Sequence, residues 1–326
     1  MPRLLAILSL SLTGCGRYAD FSLPAPPAAT TIRSYDWRPD PLPALSPGGW
    51  SSRDVLNPSV LLRDGVYYNL YSGYDGKTWH TGLALSSDGA QWRTEGRILS
   101  PQAGTWEGDY IAANGSVLLD RGEFFYWYVA GPRDRPSIGL ARSADARTWR
   151  RQPAPVLAPG PRGSWDERGV ADPVVLRIGD SLYMYYLGQD RARRQRLGLA
   201  RSVDGVTWEK LRRNPVLEGG LGEAFDTRLG EPAVWQSHGS YWMLYTGRDR
   251  HEHRRLGLAR SADGVAWEKL PGAFAGSERW NDKVLCDASV LLEGDTVRVW
   301  FGGGDVASPD ENLHGQIGTA KLVPRL

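Results

Sequence analysis

Five short motifs recur along this chain at intervals of 55–60 residues: Asn57-Pro58-Ser59-Val60, Asn114-Gly115-Ser116-Val117, Asp172-Pro173-Val174-Val175, Glu231-Pro232-Ala233-Val234 and Asp287-Ala288-Ser289-Val290. The leading position carries the chemistry: three of its five occupants are carboxylates, of two lengths, and two are amides. A position serving packing alone would hold one residue type throughout, so unequal occupants suggest a separate task for each copy. Two carboxylates near one another can divide acid and base work, one giving up a proton while the other activates water or attacks directly. Asp172, Glu231 and Asp287 are therefore the candidate catalytic residues, with Glu231 as proton donor, Asp172 as base, and Asp287 positioning substrate or tuning Glu231. Asn57 and Asn114 are candidate substrate contacts. The competing reading is structural, because Asp or Asn before proline is a common way to start a strand.

A second layer lies just upstream of each motif. Trp50, Trp106, Trp165, Phe225 and Trp280 recur there, trailed by Glu107 and Asp109, Asp166 and Glu167, Asp226, and Asp282. Most of these aromatics are expected to pack between repeats, leaving one or two as sugar platforms. Trp106, Glu107, Asp109, Trp165, Asp166 and Asp226 are the substrate-binding candidates of this layer. A third layer is rich in arginine, including Arg133, Arg193, Arg248 and Arg254. Guanidinium forks suit carboxylate, sulfate or phosphate, so Arg248 is a candidate contact for an anionic substrate group. The alternative is a solvated loop face. His314 is a candidate polar contact on the same side.

These residues need a frame, and the repeat supplies it. Each motif opens an apolar strand and is followed by a turn such as Asp64-Gly65 or Gly179-Asp180 and then an aromatic strand. A polar loop leads to a third strand containing Gly-Leu-Ala, at Gly82, Gly139, Gly198 and Gly257, and a fourth segment carries Trp92, Trp149, Trp208 or Trp267. Short strands at this spacing, without sustained helical periodicity, predict an all-β fold. Self-similarity at this period predicts a five-bladed β-propeller with four-stranded antiparallel blades. The fifth repeat ends after its third strand, while Trp37 lies 20 residues before Asn57 just as Trp267 lies 20 before Asp287. An N-terminal strand is thus expected to complete the last blade and close the ring, removing open edges. The leading residues and the loops between second and third strands then share one face around a central funnel. The Ser-x-Asp-Gly turns at Ser86, Ser202 and Ser261 lie on the other face and read as structural.

The 326 residues are 41% hydrophobic and 23% charged, with fourteen Trp, fourteen Tyr and a net charge of +2. That balance fits a globular protein and implies no nucleic-acid partner. Arg3, the apolar run Leu4 to Leu12 and the sequence Leu12-Thr13-Gly14-Cys15 read as an export signal, and the run is too short to span a bilayer. Leu-Thr-Gly-Cys resembles the bacterial lipobox, which implies lipidation at Cys15. The expected division is a signal peptide at 1–15, a Pro/Ala-rich, mobile tether at 16–30 and one propeller domain at 31–326. The expected location is the bacterial cell envelope, with the outer membrane indicated by Gly16 after the cysteine. The membrane is met only through the lipid anchor, the chain is expected to be a monomer, and Cys286 is expected to be buried and unpaired.

Asp172-Pro173-Val174-Val175, Glu231-Pro232-Ala233-Val234, Gly163-Ser164-Trp165-Asp166 and the repeated Gly-Leu-Ala-Arg-Ser resemble the five-bladed glycosidase superfamily, which includes glycoside hydrolase families 32, 43, 68, 117 and 130. The resemblance spans roughly residues 35–323. It implies hydrolysis of a glycosidic bond in an oligo- or polysaccharide by two carboxylates, without a redox cofactor. A central Ca²⁺ is allowed by the resemblance and unsupported by any ligand spacing, so neither cofactor nor metal is assigned. The acids differ from the family 43 pattern, because Asn57 and Asn114 stand where that pattern has Asp. Asn57-Pro58 looks more like the first blade of family 130, whose phosphorolytic members bind phosphate. The alternatives are therefore a phosphate-dependent phosphorylase and a non-catalytic glycan-binding or scaffold propeller.

Overall fold

The computed structural model describes residues 17–326. The signal peptide at 1–15 and Cys15 lie outside the described residues. Among the described residues every regular element is a strand and no helix occurs. Two strands come first, β1 (Arg17–Ala19) and β2 (Ser34–Pro39). The repeats then build antiparallel groups. The first is β3 (Asp54–Arg63), β4 (Val66–Tyr74), β5 (Trp79–Ser86) and β6 (Arg93–Leu99), and the second is β7 (Ile111–Asp120), β8 (Glu123–Ala130), β9 (Ser137–Ser143) and β10 (Arg150–Arg151). Next come β11 (Gly169–Ile178), β12 (Ser181–Gln189), β13 (Gln195–Ser202) and β14 (Glu209–Leu211). They are followed by β15 (Arg228–Ser237), β16 (Ser240–Arg248), β17 (Arg254–Ser261) and β18 (Glu268–Lys269). The last group is β19 (Val284–Glu293), β20 (Thr296–Gly304) and β21 (Gln316–Arg325), and β2 pairs antiparallel with β21, placing Trp37 opposite Leu322.

The second strand of each group is the most apolar, and its β-branched and aromatic residues suit a strand covered on both faces. Tyr126, Trp127 and Tyr128 of β8 and Trp242 of β16 are buried completely. These rings fill the contacts between neighbouring groups. Tyr126 and Tyr128 pack with Leu70 and Leu83 of the first group, and Trp127 packs with Met184 and Tyr186 of the third. Val60 and Tyr71 of the first group meet Trp300 and Ile317 of the last. Ring donors also bolt the Ser-x-Asp-Gly turns to their neighbours. Trp300 Nε1 donates to Gly89 O at 2.7 Å, Trp127 Nε1 to Gly205 O at 2.8 Å, and Tyr185 OH to Gly264 O at 2.5 Å. Inside each turn the Asp carboxylate accepts two following backbone N–H groups, as Asp88 does from Ala90 and Gln91.

The third-strand glycine has a steric cause. An aromatic ring of the upstream layer lies flat on it, so a Cβ at Gly198 would sit 2.5 Å from the Trp165 ring and one at Gly139 would sit 2.9 Å from Trp106.

The described part of the expected mobile tether is extended but attached. β1 pairs in parallel with β14, Leu23 is buried against Tyr183 and Tyr185, and Tyr241 OH donates to Pro24 O at 2.6 Å. Phe21 and Leu23 are the reason, because they give the Pro/Ala-rich stretch apolar anchors. Cys286 is buried and unpaired.

Candidate functional site

All five leading residues occupy the same backbone device. In β3, β7, β11, β15 and β19 the pairing register slips across the residue, between Leu56 and Ser59, Ala113 and Ser116, Ala171 and Val174, Gly230 and Ala233, and Cys286 and Ser289. Each is a β-bulge, which re-aims a side chain out of the strand's alternation. Asn57, Asn114, Asp172, Glu231 and Asp287 all have left-handed backbones, with φ of 47°, 49°, 47°, 50° and 55°. Such a conformation costs a residue with a Cβ about 1–3 kcal/mol, and Asn and Asp tolerate it best. Glu231 is the costliest occupant, and the fold retains it.

The five side chains meet between the inner strands. Above them opens a funnel of about 540 Å³, and below them runs an aliphatic channel of about 260 Å³. The five residues line both. The amides and acids are linked directly: Asn57 N donates to Asp287 Oδ2 at 3.2 Å, and Asn114 Nδ2 donates to Asp172 Oδ1 at 3.4 Å. Ser72 Oγ fixes Asn114 from behind, accepting from its N–H and donating to its Oδ1, both at 2.9 Å. Carboxyl oxygens of Glu231 and Asp287 and the Cys286 Sγ lie within 4.8 Å of one another.

This crowding separates the acids electrostatically. Burial, followed by the charge of Glu231, pushes the Asp172 carboxyl up to about 7, against the hydrogen bond from Asn114. Asp287 is raised well above the usual carboxylate range by burial and by the charge and hydrogen bond of Glu231. Burial opposes the charge of Glu231 too, but the adjoining Asp287 and Thr246 and the guanidiniums of Arg254 and Arg248 outweigh it, and its carboxyl lies below the ordinary glutamate range. The environment thus favours the charged form at Glu231 and the protonated form at Asp172 and Asp287. That distribution runs against Glu231 as proton donor and Asp172 as base.

The upstream layer is placed elsewhere. Arg248 lines the funnel, but Trp106, Glu107, Asp109, Trp165, Asp166, Asp226 and His314 do not. Trp106 and Trp165 cover strand glycines. Glu107 is buried with Arg151 and accepts from Tyr128 OH at 2.6 Å. Asp166 pairs with Lys210 Nζ, and Asp226 with Lys269 Nζ, each at 2.5 Å. These acids neutralise a cation from the fourth strand and tie it to the inter-strand loop. Asp109 is exposed with its carbonyl accepting from Thr78, and His314 pairs with Asp305 at 2.7 Å. An acid beside an aromatic reads the same in sequence whether it faces a ligand or a lysine some 43 residues away.

Arg254 is the residue whose role the spacing did not reveal. It is 7% exposed, lines the funnel, and adjoins Glu231, Asp287 and Cys286. A signal was present: the position three before each third-strand glycine holds Trp79, Pro136, Gln195 and Arg254, four unlike residues that all line the funnel. Among the described residues, those lining the channel do not fit a central calcium ion. Such an ion needs six to eight oxygen ligands. The channel is largely aliphatic, its Ser59, Ser116 and Ser289 hydroxyls accept backbone N–H groups, and Arg254 already serves the acid cluster as cation.

Comparison with known proteins agrees with this frame. The sequence profile of the glycosyl hydrolases family 32 N-terminal domain matches residues 59–213 and, overlapping, residues 124–281. An uncharacterized protein of Mycobacterium tuberculosis is 29% identical over 227 residues, 64% of this chain and 75% of the relative. Among solved structures, the BT0996–RGII complex superimposes with a TM-score of 0.73 at 19% identity, over 90% of this chain and 92% of the other. A structure described with the GH130 mannoside phosphorylases, a family said to contain hydrolases of β-1,2 mannosidic linkages, gives 0.69 at 18% identity over 90% and 96%. Zg3597, a family 117 glycoside hydrolase of Zobellia galactanivorans, gives 0.66 at 16% identity over 90% of each chain. At these identities the structural likenesses establish the fold alone.

Proposed function

Because this chain belongs to the propeller glycosidase superfamily, we propose that it hydrolyses a glycosidic bond in the funnel, with Asp172 as proton donor and Glu231 as base. The observation that carries this reading is the split between two carboxyls in one funnel, Asp172 raised to about 7 and Glu231 lowered. A pair pushed apart in this way supplies an acid and a base at neutral pH. Asp172 protonates the leaving oxygen, and Glu231 takes a proton from the attacking water. Asp287 adjoins Glu231 and tunes it, while Asn57 and Asn114 offer neutral contacts to sugar hydroxyls. The substrate is an oligo- or polysaccharide, and water is the co-substrate.

The finer architecture we favour is a five-bladed ring closed by β2, supported by the β2–β21 pairing and by the packing of Val60 and Tyr71 on Trp300. The lipobox resemblance supports an exported, lipid-anchored monomer, with a signal at 1–15, lipidation at Cys15 and the catalytic body at 31–326.

A glycan panel incubated with the full chain tests the reaction through release of new reducing ends. Turnover lost in both Asp172→Asn and Glu231→Gln is the expected result. Glycan binding without turnover, surviving both substitutions, would replace hydrolysis with a binding role. A second reading, phosphorolysis, draws support from the arginines of the funnel wall. It predicts that cleavage requires inorganic phosphate and releases a sugar 1-phosphate.

A further inference from the structure

The loop between β20 and β21 reaches across the funnel, and its two parts are held differently. Its far stem is fixed by the buried Asp54 carboxylate, which accepts from the backbone N–H of Asn312, Leu313 and Gly315 at 2.7, 3.0 and 2.8 Å. Its tip, Ser308-Pro309-Asp310-Glu311, is held by guanidiniums from two other groups of strands. Arg254 Nη2 donates to Ser308 O at 3.1 Å and Pro309 O at 2.6 Å, and Arg248 Nη1 donates to Pro309 O at 2.5 Å. Arg133 Nη2 donates to Asp310 Oδ2 at 2.9 Å and Glu311 Oε2 at 3.0 Å. Arg133, Arg248, Arg254, Pro309 and Asp310 all line the funnel, beside Asp172 and Glu231.

The tip therefore presents two carbonyl oxygens and two carboxylates to three arginines at the mouth of the site. That is the pattern of acceptors that a sugar bearing a carboxylate or sulfate offers. The funnel wall carries six arginines and five acids, Asp134, Asp172, Glu231, Asp287 and Asp310, with Glu252 paired to Arg228 and Arg248 and Glu311 paired to Arg133. Two of these acids, Asp310 and Glu311, come from the tip itself. The cationic excess over the site is thus larger with the tip withdrawn than with it seated.

We propose that the tip of this loop is an internal stand-in for an anionic sugar group, and that Arg133, Arg248 and Arg254 form a subsite for a uronate or a sugar sulfate that displaces it. The acceptors exchange on the same donors: the tip releases the guanidiniums, and the ligand's oxyanion takes them. This rests on the funnel being a glycan site and names the kind of glycan. It does not depend on which carboxyl gives the proton.

Calorimetric titration of the full chain carrying Asp172→Asn, to stop turnover, tests the subsite. The probes are trigalacturonate against its methyl ester, and a sulfated galactan tetrasaccharide against its desulfated form. One acidic probe is expected to bind about tenfold or more tightly than its neutral partner, and the pair showing the preference identifies the anion. Arg133→Gln, at a half-exposed side chain, is expected to shrink that preference severalfold. The double substitution Asp310→Asn and Glu311→Gln is expected to tighten the acidic probe and leave the neutral one unchanged. Equal affinity within both pairs would overturn the proposal, as would weaker acidic binding in the tip variant or inorganic phosphate competing as strongly as the acidic sugar. Turnover of a neutral glycan with no charge preference would leave hydrolysis standing and remove the anionic subsite. Charge-selective binding without any turnover would do the reverse.

Discussion

The two sides of the residue ring share one backbone and differ in chemistry. On one side stand Asn57 and Asn114, and on the other Asp172, Glu231 and Asp287, all at bulges with φ between 47° and 55°. The amide side and the strand of Asp287 are stitched into their neighbours. Ser59 Oγ accepts from Val117 N at 2.8 Å, Ser116 Oγ from Val175 N at 3.0 Å, and Ser289 Oγ from Val60 N at 3.0 Å. At the equivalent positions after Asp172 and Glu231 stand Val174 and Ala233, which cannot make that bond. Asp172 and Glu231 are held instead by the Asn114 amide and by the charges of Arg254 and Arg248. A repeated strain device thus serves as a rigid mount on one side and as reactive, mutually charged groups on the other.

Removing either acid tests this comparison most severely. Asp172→Asn and Glu231→Gln are each expected to lower kcat about 10²–10⁴-fold, the usual contribution of a positioned acid or base, whereas Asn57→Gly leaves most of the activity. Equal losses on both sides would erase the distinction. Acids outside the ring should behave differently again. Lys210→Met leaves Asp166 buried without its cation, and the expected cost is about 3–5 kcal/mol in urea unfolding, with kcat of the folded fraction unchanged.

The pH dependence separates the sides through one residue. Cleavage is expected to fall as pH rises through about 7, where Asp172 loses its proton. The stability sign follows from the same shift. A carboxyl raised in the folded state contributes its proton-linked stability fully below the unfolded value, about 3.9, and loses it as pH rises through about 7. Asp172→Asn is therefore expected to flatten the melting temperature between pH 4 and 8 and to raise it by a few degrees at pH 8. Asn114→Asp would place a second carboxylate beside Asp172 and move the alkaline limb of the rate profile upward by on the order of one pH unit.

The smallest expected effect concerns the stitching. Ser116→Ala is expected to cost about 1 kcal/mol by leaving Val175 N without its acceptor, while Val174→Ala removes only packing. Chemical denaturation gives the cost of each, and the hydrogen exchange of Val175 N–H distinguishes them, since it should accelerate in the serine variant alone.

Much of this fold is legible along the chain because its signals are local. The Asp64-Gly65 turn, the apolar run after Asn57 and the glycine at 198 each report on their own strand, and the repeat confirms them several times over. The spacing of Trp37 and Trp267 even anticipates a strand pairing between the two ends of the chain. The site was legible by position: the five residues do line one funnel, although each is the fourth residue of its strand, at a bulge, and not its start. Their roles were not, nor were those of Glu107, Asp166 and Asp226, which face Arg151, Lys210 and Lys269 instead of a ligand.

Period and local turn chemistry are enough to set the strands, the turns and the face on which Asn57, Asn114, Asp172, Glu231 and Asp287 gather, and all of these can be read along the chain. Which of those acids is biased toward its charged form follows only from the tertiary structure. Burial, the guanidinium of Arg254 and the approach of Glu231 to Asp287 depend on groups brought together from separate repeats, and no interval along the chain records the charge balance that results.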